Sequence, residues 1–108
     1  MKFLLTEYFK KQLKQYLRKD RSLAEKLEDS LTTFQQKFAV SIGKGIYKIR
    51  VRAQNKGKSG GYRVYLLLLE VKGFIVPLCI YAKNDRENLG PKELKEHLNA
   101  VLAELSLY

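Results

Sequence analysis

Histidine and cysteine occur once each in this chain, and the stretch from Ser30 to Leu69 contains no acidic residue. Each scarcity narrows the chemistry. A lone cysteine, Cys79, cannot close an internal disulfide, and its setting in "VPLCIYA" reads as a buried thiol in a reducing compartment. Without a Cys/His cluster the sequence offers no ligand set for structural zinc. The longest apolar run, "VYLLLL", falls far short of a membrane span. The opening "MKFLLTEYFKK" has only three consecutive apolar residues ahead of Thr6 and Glu7, too few for a signal-peptide core. A cytoplasmic protein with no membrane association is therefore expected. The one histidine, His97, lies beside Glu93 and Glu96 on the polar side of the last helical pattern, which reads as a solvated position.

What is present is positive charge. The 108 residues carry 21 Lys+Arg against 11 Asp+Glu, a formal net charge of +10. A hydrophobic fraction of 45% is ordinary for a folded chain, so a single domain over residues 1–108 is expected. The acid-free stretch holds Lys37, Lys44, Lys48, Arg50, Arg52, Lys56, Lys58 and Arg63, whereas the remainder is nearly balanced. A basic face kept for solubility alone would not confine the excess to the middle. The distribution points to a polyanionic partner, nucleic acid above all.

Periodicity gives the architecture. "KFLLT" reads as a short strand. From Glu7, Phe9, Leu13, Tyr16 and Leu17 recur at helical spacing. Asp20 and Arg21 break that run, and Ser22 with Glu25 has capping-box spacing before a second apolar stripe of Leu23, Leu27, Leu31, Phe34 and Phe38. In "IYKIRVRA", Tyr47, Ile49 and Val51 alternate with Lys48, Arg50 and Arg52, giving a strand with one apolar and one cationic face. "YRVYLLLLEV" is apolar almost throughout and fits a central strand. Lys72-Gly73 turns the chain into "FIVPLCIYA", where Pro77 calls for an edge or a bulge. Pro91 suits a first helical position, ahead of the stripe Leu94, Leu98, Val101, Leu102 and Leu105. The expected fold is α+β, in the order β-α-α-β-β-β-α: an antiparallel sheet with an N-terminal helical hairpin and a C-terminal helix.

The segment "KGKSGGYRVY" sets Lys56, Lys58 and Arg63 around a Gly-Gly pair, a costly gathering of like charge and backbone freedom. With the basic strand "KIRVR" before it and the strand end "IYAKN" after it, this order of elements resembles the RelE/ParE superfamily of toxins from toxin–antitoxin systems. Within it the chain is most similar to the HigB-like branch of the RelE group. The resemblance covers the whole chain. It implies a small curved antiparallel sheet flanked by helices, and a toxin that cleaves messenger RNA in the ribosomal A site without a metal or other cofactor. It also implies a cognate antitoxin, often a helix-turn-helix protein. In that chemistry the RNA 2′-OH attacks the adjacent phosphate, leaving a cyclic phosphate and a 5′-OH.

With histidine set aside, the base, acid and phosphate-stabilising groups fall to Lys, Arg and Tyr, and a lysine among cations becomes a better base. By resemblance, Arg63 stands at the position directed at the scissile phosphate, and Lys58, Tyr81 and Lys83 complete the catalytic set. Lys48, Arg50, Arg52, Lys56 and Arg86 form the RNA-binding set. Lys48 and Arg50 fit equally a rim that grips ribosomal RNA, and Tyr81 fits equally the core end of its strand. Asn84 stands where several RelE proteins have an arginine, and the terminal Tyr108 is remote from the place of their C-terminal tyrosine. Two other readings stay open: a ParE-like toxin that inhibits gyrase, and a catalytically decayed RNA-binding module. For an acidic antitoxin, the hairpin of residues 7 to 38 offers a second, apolar docking surface.

Overall fold

A computed structural model describes residues 2–53, 61–86 and 88–106. Five strands form one sheet: β1 (Lys2–Phe3), β2 (Val40–Gly43), β3 (Ile46–Val51), β4 (Tyr62–Leu69) and β5 (Phe74–Ala82). Their spatial order is β1-β5-β4-β3-β2. Among the described residues three α-helices accompany them: α1 (Glu7–Leu17), α2 (Leu23–Thr32) and α3 (Pro91–Leu105). The α+β class and the expected element order hold, with two additions. The sheet is mixed, because β1 pairs parallel with β5, while the other pairings are antiparallel. A further strand, β2, precedes the basic strand.

The sheet is a middle layer with a helical cover on each face. Alternation along β4 sends Tyr62, Val64, Leu66 and Leu68 toward α1 and α2, where they meet Phe9, Leu13, Leu23, Leu27 and Leu31. It sends Tyr65 and Leu67 the other way, into a cluster with Val76, Leu78, Cys79, Tyr81 and Val101 of α3. Burial on both faces explains the unbroken apolar reading of β4. Each fully buried Leu or Phe contributes roughly 1.5–3 kcal/mol, so the hairpin is held chiefly by this stripe. That burial corrects one expectation. The stripe Phe9, Leu13, Leu23, Leu27 and Leu31 of the 7–38 hairpin is buried against the sheet, so those five residues do not form an exposed docking surface. Phe38 is not in the α2 stripe at all; it ends a short 3-10 turn after the helix and is 80% exposed.

Local chemistry fixes the helix ends. Thr6 caps α1, its Oγ1 accepting from the Phe9 N–H at 3.1 Å. The Glu104 carboxylate of α3 adds a second cap, accepting from the N–H groups of Glu7 and Tyr8. The expected Ser22 capping box does not form. The Ser22 hydroxyl instead donates to Asp20 Oδ1 at 2.8 Å, and Asp20, buried at the corner between the helices, also accepts from the Tyr62 hydroxyl.

Pro77 sits at a bulge. Tyr65 faces Cys79 and Leu66 faces Pro77, which leaves Leu78 as the extra residue. Beyond β1, α1 satisfies the outer edge of β5: Gln12 Nε2 donates to the Leu78 carbonyl, and Gln12 Oε1 accepts from the Ile80 N–H. Edge strands invite unwanted pairing, and Gln12 blunts this one.

A candidate nucleic-acid interface

The register of β3, β4 and β5 builds the cationic end of the sheet. Arg50 of β3 faces Arg63 of β4, and Arg63 faces Tyr81 of β5, so the three lie in one row across neighbouring strands. In the next row Lys48 faces Tyr65, which faces Cys79. These residues share the sheet face that α3 covers. The apolar stripe of α3 extends over Leu67, Val76 and Leu78, and the basic rows lie toward the other end of the strands. A cleft of about 240 Å³ opens there, lined by Val40, Lys48, Ile49, Arg50, Arg63 and Asn88.

Arg63 is the unusual member. Although it is a cation, the residue is only 8% exposed. It nevertheless lines the cleft, and long cationic side chains can bury their stems while keeping the charged head at water. It makes no ion pair or side-chain hydrogen bond with another described residue. A nearly buried arginine facing a second arginine across the strands costs stability, because like charges directly opposite repel. An anion in the cleft relieves both costs.

Tyr81, 5% exposed, lies against Tyr65 with ring centroids 6.2 Å apart. Burial, and then a hydrogen bond with Tyr65, pushes the Tyr81 phenol well above its ordinary value, and the Arg63 charge only partly opposes this. At neutral pH this phenol stays protonated. The Arg86 guanidinium stacks 5.7 Å from the Tyr81 ring and forms a bidentate ion pair with Glu93 in the first turn of α3. Glu93 is held below the usual carboxylate range by that pairing. Sequence reasoning put Arg86 in the RNA-binding set but did not find Glu93 as its partner, and acids in a first helical turn are too common to signal one.

The remaining expected residues fall around this core. Lys48 is half-buried and donates to Asn88 Oδ1 at 3.0 Å, a contact with no sequence signal. Arg50 and Arg52 are exposed. Lys83 is half-buried just past β5, and its N–H donates to the Gly61 carbonyl at 2.9 Å. Gly61 adopts φ +136°, and a Cβ there would sit 3.2 Å from the Val51 carbonyl oxygen, so the approach to Arg63 needs glycine. Lys56 and Lys58, with the rest of the segment 54–60, lie outside the described residues, as does Tyr108. Asn84 is exposed in the turn after β5. His97 departs from expectation. It is half-buried, its Nδ1 lies 2.6 Å from the Tyr8 hydroxyl, and it joins α3 to α1.

Among the described residues no helix is long and apolar enough to cross a membrane. In comparison with known families, the model of the RelE toxin of the RelE/RelB toxin–antitoxin system matches residues 1–106 of the chain.

Proposed function

This chain belongs to the RelE toxin family of toxin–antitoxin systems, and from that premise we propose that it is a HigB-like endoribonuclease cleaving messenger RNA in the ribosomal A site. Membership implies an antitoxin partner. The observation that carries the enzymatic reading is the row Arg50–Arg63–Tyr81, in which a nearly buried arginine with no ion-pair partner among the described residues stands beside a phenol held protonated.

In this reading a backbone phosphate lies over the cleft. Arg63 donates two parallel hydrogen bonds to its non-bridging oxygens, and the pair strengthens as charge builds in the transition state. A lysine, Lys83 or Lys58, takes the 2′-OH proton as the 2′ oxygen bonds to phosphorus. The bond from phosphorus to the 5′ oxygen breaks, and Tyr81 supplies the proton to the leaving oxygen. The products are a 2′,3′-cyclic phosphate and a 5′-OH. Lys48, Arg50, Arg52 and Lys56 hold the flanking backbone and ribosomal RNA, and Arg86 supports Tyr81 from above. The acid-free middle of the chain favours this over gyrase inhibition, which needs no dense set of cations.

The test is induction in a host without the antitoxin. Amino-acid incorporation should collapse before DNA synthesis, with new messenger 5′ ends inside codons. DNA synthesis failing first, with gyrase-dependent breaks, would establish the ParE-like reading instead.

A further inference from the structure

The basic cleft is not the end of the groove. It continues into a larger slot of about 650 Å³ between the β2–β3 ribbon and the start of α3, and the two share Val40, Lys48 and Asn88. The character changes along the way. Ile42, Leu94 and Leu98 give the slot apolar walls, and Ile42 is 45% exposed, unusual for isoleucine without a partner. Two carboxamides, Asn88 and Asn99, three lysines, Lys44, Lys48 and Lys95, and the Tyr65 hydroxyl are its polar side-chain groups, and its lining contains no acid.

We propose that this slot binds the nucleobase next to the phosphate held by Arg63, which makes it the base-reading part of the RNA site. The inference rests on the RNA-cleaving reading above. Apolar walls, carboxamides and flanking cations together match a splayed-out nucleotide. The flat base covers apolar surface, a carboxamide offers both a donor and an acceptor to a base edge, and a lysine meets the next phosphate. Continuity with the arginine row supplies the register, since a base reaches the slot while its own phosphate stays over Arg63. Asn99 is exposed, and its amide is uncommitted among the described residues. An acidic protein segment is a poorer occupant, because it would leave the carboxamides without a recognisable task.

The experiment uses short single-stranded RNA at low salt, either intact or abasic at one position, binding the whole protein. Wild-type protein should bind the intact strand about tenfold more tightly than the abasic one at one defined position. Ile42→Trp, which fills the slot from an exposed strand, should bring the two affinities to within about twofold while leaving abasic binding and the thermal melt unchanged. Asn99→Ala should flatten the preference among the four bases at that position. Equal affinity of wild type for intact and abasic strands overturns the proposal, as does a base dependence that survives Ile42→Trp, and either result leaves the slot to a protein partner. Failure to cut RNA on the ribosome would sink the proposed function alone, because these binding comparisons do not depend on cleavage.

Discussion

Replacing Arg63 by alanine separates transition-state stabilisation from binding. Arg63 lies between Arg50 and Tyr81 in adjacent strands, is nearly buried, and lines the cleft before substrate arrives. A preorganised donor pair on a developing phosphorane is worth roughly 3–4 kcal/mol, so Arg63→Ala should lose about two to three decades in rate. Arg63→Lys retains a charge but not the two-pronged geometry and should recover only part of that loss. Ribosome affinity should fall much less, because the other cations remain. Stability should change little in spite of the burial, since losing the buried side chain is offset by relief of the Arg50–Arg63 repulsion, about 0.2–1 kcal/mol. The assay is single-turnover cleavage at saturating ribosome, with a thermal melt of each variant. Lys48→Ala is the comparator. It should weaken ribosome binding modestly and leave single-turnover cleavage nearly intact. Arg63→Ala cleaving within about threefold of wild type would refute the assignment.

Thr6→Ala removes the α1 cap and should cost about 1 kcal/mol, lowering the melting temperature by about 4–8 °C; an unchanged melt would show that Glu104 alone suffices. Burial lowers the His97 pKa below its ordinary 6.5. Its contribution to stability is therefore complete above about pH 6.5 and is lost as pH falls through the folded value. Urea midpoints should drop between pH 7 and pH 5 in the wild type and drop less in His97→Gln; equal drops would rule His97 out as the cause. Burial pushes the Cys79 thiol up to about 12, so a thiol reagent at pH 8 should label the protein only in denaturant. Rapid labelling of the folded protein would contradict the packing around β5.

The elements legible in the sequence were those with strong burial contrast. β4 reads as an apolar run because both its faces are covered, and the Pro77 bulge is legible because proline cannot join a ladder. β2 left no such mark, since all four of its residues are exposed and show no alternation. Ser22 had the spacing for a capping box, but the buried Asp20 competes for its hydroxyl, and spacing carries no information about that rival. At the site, the residue types were legible and their pairing was not. Nothing in one strand's sequence says that Arg50 will face Arg63, that Glu93 will return to Arg86, or that Tyr8 will take up His97, because each depends on register or helix docking across the fold.

The central claim is that the protein cuts messenger RNA on the ribosome by 2′-OH attack on a phosphate held at Arg63. It is tested most directly with ribosomes programmed in the A site by a fully ribonucleotide codon or by one with a single 2′-deoxy substitution at the scissile position. The account predicts that the first is cut to a 2′,3′-cyclic phosphate and a 5′-OH, that the second stays intact, and that neither is cut off the ribosome at physiological salt. Cleavage of the deoxy-substituted message, or an intact ribonucleotide message on a ribosome shown to hold the protein, would contradict it.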